Sequence, residues 1–239
     1  LWTEPRHFEV ADPYVTLAAC AVATSRVLIG PAVTPLPRRR PWQVARQVAT
    51  LDHLSGGRVI LGVGIGGDWF GDYSGFGEPD DRVAHGEMLD EALDIITGLW
   101  TGEPFSYEGK HYTIRDVTFL PRPVQQPRVP IWVAGTWPNK KPLRRAARWD
   151  GVLPLPRDDF NELSPDEVRE IAAYIAEHRT SAEPFDIAIA GRTTADLEKE
   201  RGHLTPIAEA GATWWYEHFG IEDSVEAVSQ RIAQGPPRI

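Results

Sequence analysis

Three histidines in this chain stand where an acid or a base could act. His218 follows Glu217 at the end of a predicted strand, His85 precedes a long predicted helix, and His53 lies in the tail of another. Imidazole titrates near neutral pH, so each of them could move a proton during a reaction. No Ser-His-Asp or metal-ligand spacing joins them, and a lone histidine is more often packed or solvated than catalytic. Of the three, we choose His218 as the candidate catalytic residue, for acid–base chemistry. No metal site is predicted.

A glycine-rich segment after an apolar run could bring its backbone against a ligand. The segment is Gly62-Val-Gly-Ile-Gly-Gly. It lacks the G-x-G-x-x-G spacing and the later acidic residue of dinucleotide-binding units. Close approach of its backbone to a ligand suits it better, with Gly66, Gly67 and Asp68 as the lining residues. The aromatic residues that follow either wall a substrate pocket or pack the long loop on itself, and both interpretations stay open for Trp69, Phe70 and Tyr73.

A second segment has the composition of an anion site. The apolar run Ile131–Ala134 predicts a buried strand, and the small and polar residues after it lead into a predicted helix. Backbone N–H groups at such a helix entry favour an anion, as do the nearby lysines. Phosphate can also bind in the loops after the last two strands, as in many α/β barrels. Arg192-Thr193-Thr194 is therefore a competing site. We prefer the first segment, with candidate residues Gly135, Thr136, Trp137 and Asn139.

Strands and helices must alternate to position these residues. Apolar runs predict six strands, and amphipathic or capped segments between them predict helices. The predicted starts of five of these helices are Asp12, Glu87, Ser164 with Glu167, Thr194 and Asp223. This alternation predicts a parallel sheet with helices outside it, and the candidate residues follow the carboxyl ends of the strands. Residues 107–114 predict a small hairpin outside the repeat. We find no linker and predict one domain over residues 1–239. The predicted strands cover residues 27–33, 59–64, 131–134, 151–155, 185–190 and 212–217.

The composition excludes several classes of protein. The 239 residues carry a formal net charge of -9, which argues against a nucleic-acid surface, and the basic run Arg38-Arg39-Arg40 is too short to change that. No apolar run approaches the roughly 20 residues of a membrane span. The single cysteine, Cys20, excludes an intrachain disulfide and a multi-cysteine metal site. We expect a soluble cytoplasmic protein.

Several stretches, in order along the chain, resemble the luciferase-like family of flavin- and deazaflavin-dependent oxidoreductases. They include Arg26-Val-Leu-Ile-Gly-Pro-Ala-Val-Thr-Pro, the segment from Gln47 to Gly64, and the segment from Pro121 to Gly135. The resemblance implies an α/β fold, a (β/α)8 TIM barrel of the bacterial luciferase type. The six predicted strands would be its third to eighth, with an insertion before the fifth. We therefore expect an N-terminally incomplete barrel that lacks the first two strands, including a histidine that usually faces the flavin ring.

The resemblance also implies where a cofactor lies. It places a bulge, often with a non-prolyl cis peptide, at Ala32, Val33 and Thr34, behind the central ring of the flavin. It also implies that the flat ring lies close to the backbone at Gly66, Gly67 and Asp68, which would line the cofactor. It assigns the loop at Gly135, Thr136 and Trp137 to the flavin phosphate or to the first part of a deazaflavin tail.

The function implied is that of a flavin-dependent oxidoreductase. We first expect a monooxygenase that uses reduced FMN and oxygen on a small organic substrate. The first alternative is an oxidoreductase that transfers hydride with the deazaflavin coenzyme F420. The second is a cofactor-less barrel that serves as a binding protein. The expected partners are a small-molecule substrate, a separate flavin reductase in the FMN case, and further copies of the chain in a homo-oligomer, with neither nucleic acid nor membrane.

Overall fold

The structure is a computed structural model that describes residues 11–157, 162–194, 196–220 and 222–237. The chain divides into two compact units, Leu1–Ile131 and Trp132–Ile239. Each unit is described by itself. None of the helices among the described residues combines the length and the apolar character needed to cross a bilayer.

Capping residues mark one end of each α-helix in the first unit. Helix α1 (Pro13–Ala23) starts after Asp12, whose carboxylate accepts hydrogen bonds from the first turn, as predicted. Helix α2 (Pro41–Ser55) ends at Gly56, which takes the left-handed conformation with a φ of 68°. Helix α3 (Arg82–Trp100) begins before the predicted start at residue 87, because the side chain of Asp81 caps its first turn. The buried faces of α2 and α3 supply the core of this unit, including Val44, Val48, Leu89, Leu93 and Ile96.

Two parallel strands and a hairpin complete the first unit. Strand β1 (Thr34–Pro35) pairs with β2 (Leu61–Gly64), with Thr34 opposite Val63. The predicted strand over residues 27–33 was wrong, since these described residues form only an isolated bridge, at Ile29. Proline has no N–H for a ladder, and Pro31 interrupts the pairing there. The predicted hairpin is confirmed as antiparallel strands β3 (Phe105–Glu108) and β4 (Thr113–Val117).

The second unit contains four strands paired in chain order. These are β5 (Ile131–Thr136), β6 (Gly151–Leu155), β7 (Asp186–Gly191) and β8 (Trp214–Glu217), and each pairs in parallel with the next. The central strands are buried, as expected of a parallel sheet covered by helices. The predicted alternation of parallel strands and helices is confirmed.

The helices of the second unit are α4 (Lys140–Ala146), α5 (Pro165–His178), α6 (Leu197–Glu209) and α7 (Val225–Ala233). The capping box predicted at Ser164 and Glu167 is present at the start of α5. Two other predicted caps were wrong. Asp196 caps α6 in place of Thr194, and Ser224 caps α7 in place of Asp223. In each case another oxygen side chain lies next to the first turn, at the position that reaches its N–H groups.

Candidate functional site

The segment before β1 has the backbone that the resemblance implied. The peptide bond between Ala32 and Val33 is cis. Thr34 is 2% exposed, and its Oγ1 shares a hydrogen bond of 2.8 Å with the hydroxyl of Tyr14 on α1. Its side chain is therefore already engaged in packing β1 against α1. Any contact of this segment with a cofactor would come from its backbone and from the side chains of Ala32 and Val33.

The loop after β2 is organised by Asp68. One carboxylate oxygen of Asp68 accepts hydrogen bonds from the backbone N–H groups of Tyr73 at 2.6 Å and Ser74 at 3.1 Å. Hydrogen bonding from Ser74 and Tyr73 lowers the pKa of the Asp68 carboxyl. This carboxylate, a predicted cofactor residue, thus holds its own loop in shape.

The two glycines before Asp68 have close neighbours. Gly66 has a φ of 72°, and a Cβ there would lie 2.9 Å from Cβ of Pro35. A Cβ on Gly67 would lie 2.5 Å from the indole of Trp69. The indole of Trp69 therefore lies against the backbone of Gly67.

The three predicted substrate-pocket aromatics differ in exposure. Trp69 is 71% exposed and Phe70 57%, whereas Tyr73 is 1% exposed. The hydroxyl of Tyr73 donates to the carbonyl oxygen of Ile65 at 2.6 Å, and its ring stacks on His85 with centroids 4.1 Å apart. Burial raises the pKa of Tyr73 to about 12. Of the three, Tyr73 lines a cavity of the first unit that is open to solvent.

That cavity was not predicted as a site. Its volume is about 590 Å³, within the range of small-molecule pockets. It lies among the residues after β1, the loop after β2 and the start of α3. The signal that could have found it is the arginine run directly after a strand, which we set aside as too short for nucleic acid. The lining side chains that can be charged or donate hydrogen bonds are Arg38, Arg39, Arg40, Gln43, Tyr73, Glu78, Asp81, His85 and Tyr112.

The predicted phosphate loop lies at the carboxyl end of β5. Gly135 and Thr136 belong to the strand itself, and a Cβ on Gly135 would lie 2.2 Å from Cβ of Pro142. The backbone N–H of Trp137 donates to the carbonyl oxygen of Leu155, and that of Asn139 to Thr136. Within the described part of the second unit, the side chains of Thr136 and Asn139 form no hydrogen bond.

A cation lies beside this loop. The ammonium of Lys140 lies 3.9 Å from the ring centroid of the buried Trp137 and 4.8 Å from that of Tyr174. A lysine over an aromatic face is held by a cation–π interaction. Lys140 is nevertheless exposed. The loop therefore offers two uncommitted polar side chains and one positioned positive charge.

The competing phosphate loop, after β7, is occupied by carboxylates of the chain. Glu217 accepts hydrogen bonds from the backbone N–H of Thr193 at 2.9 Å and from its hydroxyl at 2.6 Å. Arg231 pairs with Glu217 at 3.3 Å, and Arg192 pairs with Asp223 at 2.7 Å. Burial acts to raise the pKa of Glu217, but the hydrogen bonds from Thr193 and Trp215 outweigh it, so that this pKa is lowered. The hydrogen-bond donors of Arg192 and Thr193 are therefore already engaged by carboxylates of the chain itself.

His218, the predicted catalytic residue, follows β8 next to this network. Its backbone N–H donates to the carbonyl oxygen of Gly191 at 2.8 Å, and its side chain is exposed. The residue lines a small cavity of about 170 Å³ together with Arg192, Glu217 and Asp223. An exposed imidazole beside a cavity can exchange a proton with solvent and with a bound molecule.

Comparisons with known proteins place the chain in a family. The family model described as luciferase-like monooxygenase matches residues 1–205 of the chain. An uncharacterized protein of Mycobacterium tuberculosis is 37% identical over 169 residues, which are 66% of this chain and 55% of that protein. The chain thus spans little more than half the length of this relative. The F420-dependent glucose-6-phosphate dehydrogenase of Beutenbergia cavernae is 34% identical over 242 residues, covering 97% of this chain and 67% of that protein.

Solved structures agree with the fold class. The coenzyme F420 dependent tetrahydromethanopterin reductase from Methanopyrus kandleri is 26% identical with a TM-score of 0.63, over 74% of this chain and 53% of that one. Monooxygenase RslO1 from Streptomyces bottropensis is 26% identical with a TM-score of 0.64, over 83% and 60%. The predicted α/β fold of the luciferase-like TIM barrels is confirmed. The chain therefore belongs to the luciferase-like monooxygenase family, whose members include FMN- and F420-dependent oxidoreductases.

Proposed function

We propose that this chain acts in a deazaflavin-dependent oxidoreductase that transfers hydride between the coenzyme and a small organic substrate. The observation that carries this proposal is the 34% identity to an F420-dependent dehydrogenase over 97% of the chain. The sequence alone led us to expect FMN and oxygen first, and this extended similarity reverses that order. A bound deazaflavin would accept or donate the hydride, and the protein would position it and keep water away.

The first unit has residues that fit the ring of such a coenzyme. Ala32 and Val33 present a cis peptide with small or half-buried side chains. Gly66 and Gly67 have no side chains, so they offer backbone to a ligand, and the φ of 72° at Gly66 disfavours any other residue there. The exposed indole of Trp69 lies against Gly67 and would form part of the surroundings of a bound ring.

The second unit has residues that fit a phosphate. Thr136 and Asn139 can donate hydrogen bonds from side chains that form none with the described residues of their unit, and Lys140 adds a positive charge. Because α4 is only seven residues long, the proposal rests on these side chains rather than on the helix dipole. Occupation of the Thr193 loop by Glu217 supports this choice over its rival.

His218 is our candidate for proton transfer. Oxidation of an alcohol by hydride transfer also releases a proton, which a neutral imidazole can accept. The exposed ring of His218 beside its cavity meets the requirement of access to both a ligand and solvent.

Separate titrations with the deazaflavin coenzyme and with FMN test the proposed function. We expect the purified protein to bind the deazaflavin more tightly, as measured by changes in absorbance and fluorescence, with circular dichroism as the control for folding. Binding of neither cofactor to folded protein would refute the oxidoreductase proposal.

Preferential binding of FMN would favour the second candidate, a monooxygenase that needs reduced flavin from a separate reductase. The similarity to monooxygenase RslO1 at 26% identity and a TM-score of 0.64 supports that candidate. Substrate oxidation that requires both oxygen and reduced FMN would then distinguish it from hydride transfer to the deazaflavin.

A further inference from the structure

We propose that the 590 Å³ cavity of the first unit binds the phosphate or carboxylate group of a small molecule through Arg38 and Arg40. Guanidinium groups bind such anions through paired, charge-assisted hydrogen bonds. The proposal depends on this cavity alone and holds for either choice of cofactor.

The three arginines that line the cavity differ in their ion pairs with carboxylates. Arg38 pairs with Asp72 at 3.0 Å, and Arg39 pairs more loosely with Asp12 at 3.5 Å. Arg40 forms no ion pair with any described residue, and its guanidinium carbon lies 5.9 Å from the ring centroid of Trp42. A positive charge without a carboxylate partner therefore lines the cavity.

The position of these arginines is unfavourable for helix α2 by itself. Arg40 is the N-cap residue of α2, it makes no capping hydrogen bond, and the first turn contains no acidic residue. The N-terminus of a helix carries a partial positive charge, so consecutive cations there repel it. Local sequence choices that work against stability are typical of functional sites. A bound anion would offset this repulsion.

The other polar side chains of the cavity define how an anion would lie. Gln43 and Tyr112 line the same space and can donate hydrogen bonds. Asp81 also lines it, but its carboxylate is engaged by the backbone N–H groups of Val83 and Ala84. Glu78 is the opposing charge in the cavity wall. We therefore place the anion on the arginine side, away from Glu78.

Calorimetric titration with inorganic phosphate, and separately with succinate, tests the site at constant ionic strength. The probe that binds more tightly shows whether the cavity prefers a phosphate or a carboxylate. For that probe, Arg40→Gln and Arg38→Gln are each expected to weaken binding about tenfold, the scale of a lost charge-assisted pair. Arg26→Gln removes an exposed charge that lies outside the cavity lining and should leave the affinity unchanged. Glu78→Gln should strengthen binding, because it removes a like charge.

Two further measurements separate binding from a structural role and from the other anion site. Without phosphate, Arg40→Gln should unfold at a temperature no lower than the wild type, because the repulsion at α2 is relieved. Thr136→Asp should weaken any binding of phosphate to the loop of the second unit, so the effects of Arg40→Gln and Arg38→Gln should persist in that background. The proposal is overturned if neither probe binds the wild type. It is equally overturned if Arg40→Gln binds as well as the wild type, whether or not the variant is less stable.

Discussion

Glu217 accepts hydrogen bonds from both the backbone N–H and the hydroxyl of Thr193, at 2.9 and 2.6 Å. A phosphate bound at a barrel loop takes its contacts from the same kinds of donor. Arg231 also forms an ion pair with the Glu217 carboxylate, as it could with a phosphate. In one of the two candidate anion loops, the donors of Thr193 are therefore already bound by a side chain of the chain itself. This supports our proposal that the phosphate binds at the loop around Thr136.

Replacement of this carboxylate should destabilise the second unit. Glu217→Gln keeps the size of the side chain but removes the charge that Thr193 and Arg231 bind, and we expect a loss of about 1–3 kcal/mol in the free energy of unfolding. Glu209→Gln, at the exposed end of α6, is the matched control and should be neutral. Urea denaturation of both variants measures the difference.

The same pair predicts a dependence on pH. The pKa of Glu217 is lowered in the folded protein, so its contribution is present above the ordinary carboxyl pKa and is lost as the pH falls through the lowered value. The difference in stability between wild type and Glu217→Gln should therefore shrink in acid. A difference that stayed constant from neutral pH down into that range would argue against the ionised pair.

An added anion at Thr136 should weaken coenzyme binding. Thr136→Asp places a carboxylate where we propose the phosphate binds, and like charges at that distance repel. We expect a loss of at least about tenfold in affinity for the preferred cofactor, equivalent to about 1.4 kcal/mol. Thr136→Ser keeps the hydroxyl and should bind nearly as well. Unchanged affinity in Thr136→Asp would move the phosphate elsewhere, and Arg192 would be the next residue to substitute.

Local patterns were sufficient to predict most of the elements, because each pattern acts within a few residues. Asp12 before Pro13 and Ser164 with Glu167 cap their helices where the sequence placed them. The prediction of a strand over residues 27–33 rested on apolar residues and was wrong. Pro31 has no N–H to donate to the ladder.

The site could be predicted only in part, since its contacts join residues far apart in the chain. The hydroxyl of Thr34 is bound by Tyr14, 20 residues earlier, and Thr193 meets Glu217 after 24 more residues. No spacing rule connects such pairs. The arginine run after β1 was visible, but its meaning depended on a cavity that forms only when α2, α3 and the loop after β2 come together.

Substitution of His218 should affect turnover more than binding. If its imidazole accepts the proton released by substrate oxidation, His218→Asn should lower kcat by about 100-fold, the usual scale of general acid–base catalysis. Because the side chain is exposed, the variant should fold normally and bind the coenzyme with unchanged affinity. Steady-state kinetics with a coenzyme titration separate the two effects. Activity equal to that of the wild type would remove His218 from the proposed mechanism.

Gly66 and Gly75 form a matched pair for testing the loop after β2. Gly66 has a φ of 72° and a Cβ there would meet Pro35 at 2.9 Å, whereas a Cβ on Gly75 would meet nothing within 4 Å. We expect Gly66→Ala to lower stability by about 1–3 kcal/mol, as a strained left-handed residue with a close contact does. Gly75→Ala should be nearly neutral. Thermal unfolding of the two variants checks this, and equal melting temperatures would contradict the close packing of Gly66 on Pro35.

The buried hydroxyl of Tyr73 should give an alkaline signature. Burial raises the pKa of Tyr73 to about 12 from its ordinary value of 10.0, so the folded state keeps the proton over a range in which the unfolded chain releases it. The contribution of Tyr73 to stability is therefore full below pH 10 and declines as the pH rises toward 12. Tyr73→Phe loses the hydrogen bond to Ile65 and should be less stable than the wild type at pH 8, by about 1 kcal/mol.

That deficit should narrow above pH 10, because phenylalanine does not titrate and the wild type alone loses this contribution. Guanidinium unfolding of both proteins at a series of alkaline pH values measures the difference. Tyr14, whose pKa burial also raises to about 12, is present in both proteins and cancels in the comparison. A deficit that did not change between pH 8 and pH 11 would mean that the phenol of Tyr73 ionises equally in the folded and unfolded chains. Its hydroxyl would then be open to solvent and not held against Ile65 beneath the stacked ring of His85.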